Sequence, residues 1–205
     1  MERPVALLDA NVLYPARLRD LFLRLAIDGR FHARWSARIL DECFDNLLAD
    51  RPDLPLANLG RTRRLMITAL PDAMVEGLEG RIARLELPDP DDRHVLAAAV
   101  AAEADLIVTA NLSDFPSRSL PPALRAESPD AFVLSLIQSD ADAVAAVVDR
   151  QAAALRHPPM TVDQLLDGFL ELHASRAPGS QPGAVAQLRG GLKQMNTGRP
   201  TMTGS

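Results

Sequence analysis

A short apolar run near the start of the chain leads directly into a polar turn, Val5-Ala6-Leu7-Leu8-Asp9-Ala10-Asn11. Four consecutive apolar residues followed by Asp and Asn are typical of a buried strand that ends in a turn. We therefore expect a strand over 5–8, with Asp9 at its carboxyl end. Ligands of parallel α/β sheets bind at the carboxyl ends of the strands. The stretch thus predicts one strand of the core and one residue of a site.

Helix and strand patterns alternate after this strand. Apolar residues at helical spacing predict helices over 18–27, 37–49 (capped by Ser36), 56–69 and 91–103. Short apolar runs predict further strands over 81–85, 105–109 and, at a sheet edge, 124–126. This alternation favours right-handed crossovers and a parallel sheet with helices on both faces. The predicted fold class is α/β, a three-layer arrangement with a central parallel sheet.

The last third of the chain has a different character. Helical patterns cover 129–138, 140–156 and 161–174, and we expect these helices to pack on the sheet. From residue 177 onward the sequence is rich in Gly, Pro, Ser, Thr and Gln, which is typical of a loosely ordered tail. One weak helix is predicted within it, over 184–195.

Composition limits the classes of protein that the chain can represent. Its 205 residues are 47% hydrophobic, enough for one domain and a modest extension. The single cysteine, Cys43, rules out a disulfide framework or a cysteine-based zinc site within one chain. No apolar run approaches the roughly 20 residues that span a bilayer, and no signal peptide is evident. We expect a cytoplasmic protein that does not bind membranes.

Charge is distributed unevenly along the sequence. The net charge of -5 disfavours nucleic-acid binding by the surface as a whole. Six arginines nevertheless lie between Arg17 and Arg38, and a second basic cluster covers 61–64. Phosphate contact is one interpretation of these clusters, and ordinary solvated helix faces are the other.

Three acidic residues occupy positions that this topology can bring together: Asp9, Glu42 and Asp92. Asn111 and Asp114 follow a predicted strand and can complete the cluster. Hard oxygen ligands suit Mg²⁺ or Mn²⁺, which activate water and stabilise charge on a reacting phosphate. Each acid also has a simpler interpretation, namely a turn former at Asp9, a solvated helix residue at Glu42 and a helix cap at Asp92.

Four segments, 7–13, 39–42, 89–99 and 104–115, resemble the acidic motifs of the PIN domain family, in the family's order. The resemblance covers roughly residues 4–127 and is strongest to the VapC-type toxins of this family. It implies an endoribonuclease dependent on Mg²⁺ or Mn²⁺. It further implies an RNA substrate, a cognate antitoxin protein and a homodimer. The corresponding domain prediction is a PIN-like nuclease domain over 1–127, a helical extension over 128–176 and a flexible tail over 177–205.

The resemblance also assigns roles to individual residues. Asp9, Glu42 and Asp92 match the metal-binding acids of the family. The fourth acid is replaced, since Asn111 stands where many members have aspartate and Asp114 is the nearby acid. Thr109 is expected to steady the site by hydrogen bonding. Independently of the resemblance, four arginines are our candidates for RNA contact: Arg17, Arg19, Arg38 and Arg93.

Three other interpretations compete with this one. A haloacid-dehalogenase-type phosphatase needs a second aspartate where Asn11 stands, and it also needs a lysine. A response-regulator receiver domain needs a lysine after a late strand, yet the only lysine is Lys193, in the predicted tail. The third is a PIN-fold module that binds RNA or protein with weak or no catalysis, which the asparagine at position 111 keeps open.

Overall fold

The computed structural model describes residues 3–176 and 182–197. The chain forms two compact units, Met1–Pro129 and Asp130–Ser205. The first unit contains the sheet and the second is helical. The domain boundaries expected from the sequence, after residues 127 and 176, stay predictions.

A five-stranded parallel sheet forms the centre of the first unit, in the spatial order β3-β2-β1-β4-β5. The strands are β1 (Val5–Leu8), β2 (His32–Ser36), β3 (Met74–Val75), β4 (Leu106–Val108) and β5 (Arg125–Glu127). The chain proceeds from β1 outward in one direction to β3, then returns to the other side of β1 for β4 and β5. The order therefore reverses between β1 and β4, and such a reversal opens a crevice at the carboxyl ends of the two strands.

Helices flank this sheet and supply the rest of the first unit. They are α1 (Ala10–Leu13), α2 (Ala16–Ile27), α3 (Ala37–Asp50), α4 (Leu56–Ala69), α5 (Glu79–Ile82) and α6 (Arg93–Ala101). The α/β class, the central strand β1, the Ser36 cap and the helix over 56–69 are confirmed. The edge strand β5 is confirmed as well.

One strand prediction was wrong, and two strands, β2 and β3, were not predicted. The expected strand over 81–85 overlaps helix α5, because its backbone hydrogen bonds are local, such as the one from Arg81 N to the Leu78 carbonyl. Strand β2 was not predicted at all. Its buried residues alternate with the polar His32 and Arg34, and the segment is too charged to stand out as an apolar run.

Small side chains allow α6 to pack closely on the sheet. Residues Val95–Ala99 are completely buried, and three of these five are alanines, which let the helix backbone approach its neighbours. On β2, Trp35 is also fully buried. This packing fixes the start of α6, and with it Asp92, relative to the strand ends.

The described residues of the second unit form four helices, α7 (Pro129–Ser139), α8 (Ala141–Ala154), α9 (Val162–Arg176) and α10 (Gly183–Thr197). Buried apolar side chains from all four form its core: Phe132, Val144, Val148, Leu165, Leu166 and Leu188. The Asp130 carboxylate accepts hydrogen bonds from the backbone N–H groups of Gly183 and Ala184, which fixes the start of α10.

The three helices expected before residue 177 are confirmed, and α10 matches the helix expected within the tail. Residues 177–181 and 198–205 of the predicted tail lie outside the described residues. The expected packing of these helices on the sheet stays a prediction. None of the described helices has the length and apolarity that crossing a membrane requires.

The Ser36 cap provides a test of how the site-bearing helix α3 is held. The buried hydroxyl of Ser36 accepts a hydrogen bond from Ile39 N (3.2 Å). We expect Ser36→Ala to lower the free energy of unfolding by about 1 kcal/mol in urea titrations, because a helix N–H loses its acceptor. The control Ser117→Ala, at an exposed position, should change it by less than about 0.5 kcal/mol. Equal effects of the two substitutions would show that the cap contributes nothing specific.

Candidate functional site

Asp9 lies at the carboxyl end of β1, in the crevice created by the reversal of strand order. Its side chain is buried, with only 4% of the residue exposed. One carboxylate oxygen, Oδ1, accepts a hydrogen bond from Ala10 N (2.6 Å). The other, Oδ2, accepts from Asn11 Nδ2 (2.5 Å) and Thr109 Oγ1 (2.7 Å). Burial raises the pKa of Asp9, although the hydrogen bonds from Thr109 and Ala10 oppose this shift.

Thr109 connects the ends of β1 and β4. Besides donating to Asp9, its hydroxyl accepts hydrogen bonds from Asn11 Nδ2 (3.0 Å) and from Asn111 N (3.0 Å). Asn11 Oδ1 in turn accepts from Ala110 N (2.9 Å). The hydrogen bonding expected of Thr109 is therefore present, and the orientation of Asp9 is fixed from both strands.

Asp92 lies where several negative charges meet. Its pKa is raised to about 6, first by burial and then by the carboxylates of Asp9, Asp114, Asp89 and Glu42, in that order of effect. Carboxylates influence each other in this way only at short range. The structure therefore brings the three acids selected from the sequence, together with Asp114, into one cluster, which we call the acid cluster (Asp9, Glu42, Asp92 and Asp114).

The capping interpretation of Asp92 does not hold. Its side chain makes no capping hydrogen bond to α6. Asp89 performs that function instead, since its Oδ1 accepts from Asp91 N (2.8 Å) at the start of a short 3-10 turn. The Asp92 carboxylate is thus not used as an acceptor for the N–H groups at the start of α6.

Glu42 faces a histidine that the sequence did not single out. Its carboxylate is 43% exposed on α3, and Oε2 lies 3.2 Å from Nε2 of His94 on α6. His94 itself is almost completely buried. Its position two residues after Asp92, inside the apolar run of α6, was the signal that could have indicated burial beside the acids.

Two residues are candidates for the fourth acid position, Asn111 and Asp114. Asn111 is exposed, and it contributes its backbone N–H to Thr109. Asp114 is half-buried, and its charge is one of those that raise the pKa of Asp92. The 3-10 turn Leu112–Asp114 carries the chain back to the cluster, so the negative charge comes from Asp114.

The donor chemistry of the cluster fits a hard divalent cation. Four carboxylates repel one another, and none of Asp9, Asp92 and Asp114 forms an ion pair within the part of the chain that the structure describes. Among the described residues, however, no three acidic, imidazole or thiol side chains are close enough to form a ready-made metal site. Both oxygens of Asp9 already accept hydrogen bonds, and Glu42 faces His94. Binding a cation there requires the exposed carboxylates to reorient.

The arginines assigned to RNA differ in their surroundings. Arg19 Nη1 donates to the carbonyl oxygens of Leu13 (2.6 Å) and Tyr14 (3.2 Å), so it completes the end of α1. Arg17 is exposed on α2, and Arg38 is exposed on α3 one turn before Glu42. An RNA contact by any of these three stays a prediction.

Arg93 is closest in sequence to the cluster, directly after Asp92. Its Nε atom is buried and has no hydrogen-bond partner among the described residues. A buried guanidinium N–H without an acceptor is unfavourable unless a ligand supplies one. This unsatisfied Nε distinguishes Arg93 from the other three arginines, and the assignment of Arg93 to RNA stays a prediction.

Comparisons with known proteins agree with these observations. The PIN domain family matches residues 5–113, and the VapC50 C-terminal domain matches residues 129–177. The protein named "Putative ribonuclease VapC50" from Mycobacterium tuberculosis (strain ATCC 25618 / H37Rv) is 43% identical over 81 residues, which are 39% of this chain and 48% of that protein. The match therefore spans about half of the relative's length. No solved structure matches the chain.

The role of the Thr109 hydroxyl can be tested with two substitutions. Thr109→Val removes one donor and one acceptor from a buried network, and we expect it to lower the free energy of unfolding by about 2 kcal/mol. Thr109→Ser keeps the hydroxyl and loses one buried methyl group, so about 1 kcal/mol is expected. Urea titrations of both variants give the order. A larger loss in the serine variant would assign the position to methyl packing.

The raised pKa of Asp92 predicts a dependence of stability on pH. Its ordinary value is 3.8 and the folded value is about 6, so the folded state binds the proton more tightly than the unfolded state. The resulting contribution to stability is complete below about pH 4 and is lost as the pH rises through 6. Asp92→Asn should therefore be more stable than wild type at pH 7 without divalent cations.

We expect this gain to be about 1 kcal/mol, because the side chain is only half-buried and solvent screens part of the roughly 3 kcal/mol that two pKa units represent. The measurement is urea unfolding in EDTA at pH 7 and pH 4, and the difference between wild type and variant should vanish at pH 4. Equal stabilities at pH 7 would show that Asp92 is not under charge repulsion.

Proposed function

Since the chain belongs to the PIN domain family, we propose that it is a metal-dependent endoribonuclease that uses Mg²⁺ or Mn²⁺. The observation that carries the proposal is the acid cluster: neighbouring carboxylates contribute to the raised pKa values of Asp9 and Asp92. A fold gains no stability from such repulsion. A divalent cation offsets it, which is the physical reason for expecting one.

The cation would be held by Asp9, Glu42 and Asp92, with Asp114 as the fourth acid. When bound, it would supply charge stabilisation for a phosphodiester and activation of water. Thr109 and Asn11 keep Asp9 oriented through the hydrogen bonds that they donate to it. Oriented ligands of this kind lower the reorganisation that the reaction requires.

An RNA substrate is supported by the cations beside the cluster. Arg38 is exposed one turn from Glu42, and Arg93 has a buried Nε without a partner among the described residues. Guanidinium groups bind phosphate through two parallel hydrogen bonds, so both residues suit the RNA backbone. We assign Arg17 a more distant contact and Arg19 to the fold, because Arg19 binds the end of α1. The net charge of -5 gives the surface as a whole no attraction for RNA. Specificity for one RNA would come from local shape and from unpaired bases.

The biological setting that we propose is a type II toxin–antitoxin pair in the cytoplasm. Its support is the similarity to the protein named "Putative ribonuclease VapC50" and the match of residues 129–177 to the VapC50 C-terminal domain. In this setting the chain acts as the toxin, forms a homodimer and is inhibited by a cognate antitoxin. The antitoxin would need a cationic segment to enter the acid cluster.

A second candidate is a PIN-fold module that binds RNA or protein with little catalysis. Two observations favour it. Asn111 replaces an acid, and no ready-made metal site is present among the described residues. The two candidates differ in whether a divalent cation causes RNA to be cut.

The central test is cleavage of a mixed-sequence single-stranded RNA by the purified chain in Mn²⁺ or EDTA. We expect cleavage in Mn²⁺ and none in EDTA. For Asp92→Asn and Asp9→Asn we expect kcat/KM to fall by about a hundredfold or more, because each substitution removes a ligand charge. Mn²⁺ should raise the Tm of wild type and leave that of Asp92→Asn unchanged. The control Asp142→Asn, at an exposed position on α8, should behave like wild type.

The outcome separates the two candidates. RNA that remains intact at high protein concentration, while still binding the chain, would establish the binding module and contradict the nuclease. Cleavage that persists in EDTA, or in Asp92→Asn, would show that the activity does not arise from the acid cluster.

A further inference from the structure

His94 occupies an unusual position for a core histidine. It is 2% exposed, yet its Nε2 lies 3.2 Å from a carboxylate oxygen of Glu42, whose side chain is 43% exposed. The contact joins α6 to α3, the two helices that carry Asp92 and Glu42. It therefore connects two elements of the acid cluster through a residue that is not itself acidic.

The chemistry of this contact defines the tautomer of the imidazole. A carboxylate only accepts hydrogen bonds, so the proton of a neutral His94 must be on Nε2. The other nitrogen, Nδ1, is buried and has no hydrogen-bond partner among the described residues. Within the described part of the chain, the Glu42 carboxylate is thus the polar group that Nε2 of His94 contacts, at 3.2 Å, and packing alone does not explain why a polar ring is placed there.

Glu42 needs such a partner more than the other acids do. Asp9 is held by three hydrogen bonds, whereas Glu42 is a long, exposed side chain on a helix surface. A long side chain loses rotamer freedom when it binds a ligand. A donor in contact with Oε2 restricts the rotamers of the Glu42 side chain before a cation binds. The other carboxylate oxygen, Oε1, stays available to the cation.

We propose that His94 is a positioning residue that orients the Glu42 carboxylate for a divalent cation in the acid cluster. The inference rests on the proposed function, because it presupposes that the cluster binds such a cation. It adds a residue that acts through Glu42 and does not touch the cation. Groups that orient metal ligands typically change metal affinity about 10- to 100-fold when they are removed.

The first test is Mn²⁺ binding, measured by titration calorimetry without RNA. His94→Leu removes the donor and keeps an apolar side chain of similar size, and we expect the Kd for Mn²⁺ to rise about tenfold or more. His94→Gln can place an N–H donor near the position of Nε2, so its Kd should stay within about threefold of wild type. A leucine variant with wild-type affinity, or a glutamine variant as weak as leucine, would overturn the proposal.

A double-mutant comparison shows whether His94 acts through Glu42. In a Glu42→Gln background, His94→Leu should cause no further increase in the Kd for Mn²⁺, since the side chain to be oriented no longer carries the ligand charge. An additional tenfold loss in that background would mean that His94 affects the cation by another route and would contradict the inference.

A spectroscopic measurement needs no variant that risks misfolding. Long-range ¹H–¹⁵N correlation spectra of the wild-type chain report which imidazole nitrogen carries the proton. We expect the Nε2–H tautomer for His94, and removal of the acceptor in a Glu42→Ala variant should shift that nitrogen. The Nδ1–H tautomer in the wild-type chain would overturn the contact on which the proposal stands.

The failure of this inference is distinguishable from the failure of the proposed function. If Asp92→Asn abolishes Mn²⁺ binding while His94→Leu binds normally, the cluster is a metal site and only the role of His94 is wrong. If wild type shows no Mn²⁺ binding that depends on Asp92, the proposed function fails, and the role of His94 fails with it.

Discussion

The hydrogen bond from the Thr109 hydroxyl to the buried Asp9 carboxylate is the contact on which the site depends. It joins the ends of β1 and β4 at the point where strand order reverses. A buried carboxylate is tolerated only when donors satisfy it. Ala10, Asn11 and Thr109 supply those donors, and two of the three groups come from the turn after β1 itself. The short sequence that forms the central strand therefore also builds the fixed part of the site.

The packing of α6 and α3 brings the other acids close to Asp9, although the carboxylates repel one another. The alanine-rich α6 lies close on the sheet and brings Asp92 to the strand ends, where its pKa rises to about 6. The capped helix α3 brings Glu42 from the other direction. Each helix is stabilised by contacts far from the charges, which is how a fold sustains an unfavourable cluster. Stability and the site thus depend on different residues of the same helices.

Local signals in the sequence were sufficient wherever one residue type determined the structure. The sequence predicted the Ser36 cap, the helix over 56–69 and the strand before Asp9 correctly, because each has a local signal. These signals are a capping hydroxyl, apolar residues at helical spacing and a short apolar run, respectively. Strand β2 was missed because Arg34 interrupts its apolar residues, and burial there is decided by two neighbouring strands. The contact between His94 and Glu42 was missed for the same reason, since only the packing of α6 near α3 creates it.

The fourth acid position shows how topology can preserve a charge that the motif has lost. Asn111 brings no charge, and its backbone N–H serves Thr109 instead. The 3-10 turn that follows returns the chain, so that Asp114 still raises the pKa of Asp92. The cluster therefore retains four carboxylates despite the asparagine. A loss of catalysis caused by Asn111 would then come from the changed position of that charge and not from its absence. Catalysis then depends on whether Glu42, Asp92 and Asp114 can turn together around one cation. His94 helps to set the orientation of the Glu42 side chain that this requires.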